Sequence, residues 1–238
     1  MIGEIVVGDA SSTTLATKIV KRSAMPMMSW EGLTVLDNGV VIGGDELRPG
    51  SYEDANFSMD TDGGALFKFV PSSLHAGGAI TDLSQSPLVA GTNYALQVSC
   101  RDSKQQYGQG CEVGNGAWLQ VDGRNARVDA NDKGATGYYR PEDLHVDPTY
   151  VADAATPNAV RFCWANTGNE GASNFAEVIC GVDSDPAQQS VVDADLDGVM
   201  DSRSVVVNRF VEGDTDANRF DNLAFQPESG ILYVIEDN

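Results

Sequence analysis

Three short stretches of this 238-residue chain set an acid two positions before a leucine: Trp30-Glu31-Gly32-Leu33, Pro141-Glu142-Asp143-Leu144 and Phe220-Asp221-Asn222-Leu223. The first and third copies run on through a glycine-bearing turn into a second apolar run. That run closes on an acidic pair, Asp45-Glu46 in one copy and Glu236-Asp237 in the other. Each such unit reads as an antiparallel hairpin, in which the start of the first strand lies beside the end of the second. Glu31 is thereby brought toward Asp45 and Glu46, and Asp221 toward Glu236. Carboxylates a few Å apart cannot all stay ionised, so they share protons or hold cations. Isolated acids at hairpin ends are ordinary in so acidic a chain. Repetition at one strand position singles these out.

A separate acidic motif, Asp193 to Ser202, reads DADLDGVMDS. Asp193, Asp195 and Asp197 take positions 1, 3 and 5 of a calcium loop, Gly198 makes the turn at 6, Val199 offers its carbonyl at 7 and Asp201 stands at 9. Ser204 replaces the closing glutamate of an EF-hand, and the flanks read as strand. The motif therefore matches the DxDxDGxxD loops of extracellular calcium repeats, and its expected role is to pin an inter-strand insertion. Histidine chemistry is poorly provided for. His75 and His145 are the only histidines, and no GxSxG precedes a helix, which argues against a serine-histidine triad.

The elements that must carry these acids are strands. Runs such as GLTVLD, GALFKFV, NYALQVSC, AVRFCWA, FAEVICGV, SVVVNRFV and GILYVIE are short, rich in β-branched and aromatic residues, and bounded by Gly, Asn, Asp or Pro. No stretch of 11 or more residues keeps a helical period. The expected fold is all-β, and equivalent acids at intervals of more than one repeat suggest a β-propeller, whose strand ends converge on a central channel. At ~40–50 residues per blade, the chain would hold about five blades. It reads as one domain over residues 1–238, or the larger part of one, with an inter-strand insertion at 186–212 carrying the calcium loop.

Charge and cysteine usage narrow the partners. Lys+Arg 15 against Asp+Glu 35 gives a net charge of −20, which repels nucleic acid and anionic membranes and favours metal ions. No apolar run approaches the ~20 residues of a membrane helix. The first residues lack the basic and apolar regions of a signal peptide. The four cysteines fall into two local pairs, Cys100 with Cys111 and Cys163 with Cys180, read as disulfides formed in a periplasmic or extracellular compartment.

The order of motifs, SWEGLTV…VVIGGDE…GGALFKFVP, then GYYRPEDLHVDP…WANTGN, then FDNLAFQP…LYVIEDN, resembles the PhoX-type alkaline phosphatases and their relatives over about residues 29 to 238. The resemblance implies a β-propeller that hydrolyses phosphate monoesters with a cluster of iron and calcium, held by carboxylates and one cysteine at the propeller centre. Carried across by position, it makes Glu31, Asp45, Glu46, Glu142, Asp221 and Glu236 metal ligands and Arg140 the phosphate-binding arginine. Such an assignment is chemically coherent, since hard oxygen ligands suit Ca²⁺ and Fe³⁺ and a guanidinium forks onto phosphate oxygens. The family's cysteine-bearing motif is not found before Trp30, FDN stands for PDN, and GGDE inverts the usual Glu-Asp order. These departures imply one piece, or a reduced version, of a larger propeller, completed by further blades or another chain. Two other functions fit the same residues: a non-catalytic, calcium-stabilised propeller used for surface binding or assembly, and a calcium-dependent lactonase-like hydrolase.

Overall fold

The structure, a computed structural model, describes residues 2–6, 19–49, 63–98, 112–172, 174–188 and 204–237. The calcium-loop residues Asp193, Asp195, Asp197, Val199 and Asp201, and the Cys100–Cys111 pair, lie outside the described residues. Strands carry nearly all the regular structure, as their β-branched and aromatic content dictates. A minor ladder joins β1 (Gly3–Glu4) to β2 (Val20–Lys21). The main sheet holds β3 (Trp30–Val35), β4 (Val41–Asp45), β5 (Leu66–Pro71), β6 (Gly91–Val98), β7 (Gly114–Val121), β8 (Pro141–Val146), β9 (Val160–Asn166), β10 (Glu177–Asp183) and β11 (Val205–Glu212). A last hairpin pairs β12 (Phe220–Gln226) with β13 (Ile231–Glu236), and the described residues include one short helix, α1 (Ala126–Asp132).

The nine strands follow the order β3-β4-β5-β6-β7-β11-β10-β9-β8, every pair antiparallel. They form two four-stranded meanders, β3 to β6 and β8 to β11, joined at their outer strands through β7. The sheet curls until its two ends meet. A Cβ added to Gly32 of β3 would fall 2.0 Å from the Leu144 nitrogen of β8, so these backbones touch where only glycine fits. On the far side of β8, the Leu223 N–H of β12 donates to Asp143 Oδ2 at 3.0 Å. The first strands of three successive units, β3, β8 and β12, thus lie side by side. The fold is all-β and propeller-like, with the acid-bearing strand innermost in each unit.

Among the described residues the strands form two four-stranded meanders bridged by β7, one terminal hairpin and the small β1–β2 ladder. Within the stretch 186–212, Val205–Glu212 forms β11 itself.

Between the meanders sits an aromatic core in which Trp118, Phe162, Trp164, Tyr94 and Tyr138 are all buried. It encloses an ion pair, Lys68 Nζ to Asp183 Oδ2 at 3.0 Å, with both side chains fully buried. The Trp118 indole N–H donates to the same oxygen at 2.8 Å, and the Lys68 ammonium lies 4.6 Å from the Trp118 ring centroid. Burial pulls the Lys68 pKa down while Asp183 opposes it, and the cluster ties β5, β7 and β10 together.

A second apolar cluster lies under the β12–β13 hairpin, where Phe220 and Leu223 cover Ala165, Val178 and the disulfide Cys163–Cys180. These cysteines stand directly opposite each other on β9 and β10. They are 17 residues apart, and closing a loop of this size constrains the unfolded chain by about 3 kcal/mol. Double substitution to serine is therefore expected to lower the urea-unfolding free energy by about that amount, measured by linear extrapolation with the slope fitted for each protein, since the uncrosslinked chain exposes more surface on unfolding and steepens it.

Candidate metal centre

The three innermost strands share an irregularity at one position. On β3, Trp30 pairs with Asp45 but Leu33 pairs with Gly43; on β8, Pro141 pairs with Asn166 but Leu144 with Trp164; on β12, Phe220 pairs with Glu236 but Asn222 with Ile235. Each strand holds one residue more than its partner there, which is a β-bulge, and bulges re-aim the side chains they carry. Glu31, Glu142 and Asp221 sit inside these bulges.

The bulges and the end of β4 gather acids from distant parts of the chain. Carboxylate oxygens of Glu31, Glu46 and Glu142 lie within 4.8 Å of one another. Asp221 is near enough that its charge raises the pKa of both Glu31 and Glu142. Burial is the first cause that pushes Glu142 up to about 7, reinforced by Glu46 and Asp221. The Thr167 hydroxyl, which donates to Glu142 Oε1 at 2.9 Å, and Arg140 pull the other way. Glu31 is raised by partial burial and then by Glu46, Asp221 and Asp143. Asp221 is raised by partial burial and then by Asp237.

Arg140 is the cation among them. Its Nη2 lies 2.7 Å from Glu142 Oε1 and 2.9 Å from Glu46 Oε1. The residue stands just before β8 in a left-handed backbone conformation with φ of 58°. It reaches Glu142 from that turn, and not by the two-residue alternation of a strand.

Two of the acids marked in the sequence turn elsewhere. Asp45, almost fully buried, accepts a forked pair from Arg127 at 2.6 and 2.7 Å and the Ser29 N–H at 2.7 Å. Glu236 accepts the Asn218 N–H at 2.7 Å and so closes the turn before β12. Neighbours on a strand point to opposite faces, and from each acidic pair it is Glu46 and Asp237 that bear on the centre. Asp143 is an acid the sequence reading passed over. It accepts the Leu223 N–H, meets His145 Nε2 at 3.1 Å, and adds its charge to that acting on Glu31 and Asp221. Its only sequence signal is its place beside Glu142 in the repeat.

Such a group of hard, crowded oxygens is suited to one or more multivalent cations. The described cysteines cannot add a thiolate, because Cys163 and Cys180 are joined to each other. No described helix is long and apolar enough to cross a membrane.

No family model matches the sequence, and no curated protein matches it. Among solved structures, the fold is similar to that of Pseudomonas fluorescens PhoX in complex with vanadate, a transition state analogue, with a TM-score of 0.54 and 18% sequence identity. The match covers 93% of this chain and 41% of that one, so the chain spans less than half the length of that PhoX.

Proposed function

We propose that this chain, whose fold is similar to part of PhoX, carries the metal- and phosphate-binding part of a phosphate-monoester hydrolase working in the periplasm or outside the cell. The observation that supports it most is the meeting of Glu31, Glu46 and Glu142 within 4.8 Å, with Arg140 bonded to two of them. The donor set fits calcium and ferric iron, since every atom offered is a carboxylate oxygen and the acids are too crowded to ionise fully unless a cation joins them. Glu31, Glu46 and Glu142 would hold the ions, with Asp221 beside them. Bound there, the ions would supply charge neutralisation and Lewis acidity toward a phosphoryl group.

The chain's own residues prepare the site for that anion. Arg140 presents a planar fork of N–H donors that matches phosphate oxygens. Its bonds to Glu46 and Glu142 hold the fork in one direction. Thr167 holds Glu142 in one orientation through the hydroxyl bond. The aromatic core behind β8, with Leu144 and Trp164 fully buried, backs the acids with apolar side chains. The periplasmic or extracellular setting is supported by the Cys163–Cys180 disulfide.

A second reading, a calcium-stabilised binding or assembly module without catalysis, draws on one observation: the described cysteines leave the site with oxygen ligands only. Elemental analysis of purified protein combined with p-nitrophenyl phosphate turnover separates the two. Iron with calcium, and turnover that disappears on chelation, is the expected result. Calcium alone without turnover favours the module, and a metal-free protein after supplementation with both ions overturns both readings. The loop of Asp193, Asp195, Asp197, Val199 and Asp201 is proposed as a separate structural calcium site. Asp195→Ala is expected to remove the part of the chelator-induced drop in melting temperature that persists when the central acids are neutralised.

A further inference from the structure

We infer that the cavity beside Arg140 binds a second anionic group of the substrate, so that the preferred esters carry a charged leaving group; this rests on the phosphoesterase reading above. The cavity measures about 340 Å³ and is lined by Arg48, Arg140 and Arg219 together with Asn169, Glu170 and Asp237. Three of the chain's fifteen basic residues meet here, in a protein of net charge −20. Its volume falls in the range of small-molecule pockets, about 300–1,000 Å³, and exceeds what one phosphoryl group needs.

Arg140 and Arg219 hold equivalent places in the repeat. Each stands two residues before the acid of an innermost strand, Glu142 or Asp221, and each adopts a left-handed backbone, φ 58° and 54°. Arginine gains nothing from that conformation, which favours glycine and asparagine. Strain repeated at matching positions points to the aim of the guanidinium as what the backbone serves.

Arg140 is the wall between the two compartments, since it bonds Glu46 and Glu142 on one side and lines the cavity on the other. A phosphoryl group held at Arg140 therefore has the cavity next to it, where Arg219 and Arg48 can take a carboxylate or second phosphate. Arg219 is engaged with Glu170 at 3.2 Å, but both side chains are about half exposed. Such a pair is weak and exchanges readily for a ligand anion. Asp237 lines the same cavity.

The test is calorimetric titration of the calcium- and iron-loaded protein with two probes that hydrolysis cannot consume. Methylphosphonate carries one anionic group, and 3-phosphonopropionate adds a carboxylate. Wild type is expected to bind the second about tenfold more tightly, one good charge-assisted contact's worth. Arg219→Gln should erase that preference while leaving methylphosphonate within about twofold of its wild-type affinity. Arg48→Gln should move the preference in the same direction, which guards against a folding defect in either variant, and melting curves check both. Equal weakening of both probes by Arg219→Gln would assign that arginine to the transferred phosphoryl group and overturn the inference. So would a wild type indifferent to the carboxylate. A loaded wild type that binds neither probe defeats the phosphoesterase reading first, and this inference with it.

Discussion

Exchange of Glu142 for glutamine is expected to strip the centre of bound metal and, in the same protein, to stabilise the metal-free fold above neutral pH. Glu142 is almost fully buried, and its carboxyl is pushed up to about 7. The folded protein thus keeps a proton that the unfolded chain, with an ordinary glutamate, has released. Stability falls as pH rises across the interval between the ordinary value and about 7, and the total for this one group is roughly 3 kcal/mol. Below that interval the group contributes no difference. Glutamine cannot ionise, so the decline disappears, while its amide oxygen still accepts the Thr167 hydroxyl. Melting curves of chelator-treated protein between pH 5 and 8 should show a falling wild type and a flatter variant. Elemental analysis of the untreated proteins should show the metal lost with the charge. A metal-free wild type that is equally stable at both ends of the range would show that Glu142 titrates as an ordinary glutamate and overturn this prediction.

Loss of the Arg140 side chain is expected to cost far more in turnover than in stability. The guanidinium can bind phosphate oxygens as negative charge redistributes during ester cleavage, and removing one such pre-aimed donor typically lowers kcat by about 10²–10³. In the metal-loaded protein the melting temperature should change little, because the cations take over the charge balance that Arg140 supplies to Glu46 and Glu142. Arg140→Lys keeps the charge but loses the fork and should recover only part of the rate. The measurement is kcat on p-nitrophenyl phosphate beside metal content for each variant. A rate that falls only in proportion to lost metal would make Arg140 a brace for the acids and nothing more.

Local pattern made part of this architecture legible and distance concealed the rest. The β12–β13 hairpin could be read because Gln226 to Gly230 supplies turn residues between two apolar runs. The Cys163–Cys180 pair could be read because it bridges adjacent strands of one hairpin. The sheet order could not, because β7 joins β11 across nearly a hundred residues and the Lys68–Asp183 pair spans 115 positions. Asp45 looked like a partner of Glu46, yet it answers Arg127, 82 residues away, on the opposite side of the strand. Strand alternation alone would have allowed only one member of each acidic pair to face the centre. The bulges escaped notice because an extra residue shows only when both paired strands are known. Once they are known, the acid-x-Leu repeat is the signature of a displaced register.

Those three bulges bear on how such a centre can arise or vanish. A substitution changes one side chain and leaves its direction intact, whereas removing a single residue from Glu142–Asp143 or Asp221–Asn222 would restore a regular ladder. The strand would keep its hydrogen bonds, and the residue at the acid's place would turn to the other face of the sheet. One lost codon can therefore switch off a corner of the centre without dismantling the fold, and one gained codon can install it. In a lineage of such sheets, the history of the chemistry is then written in gaps, and residue exchanges alone would miss it.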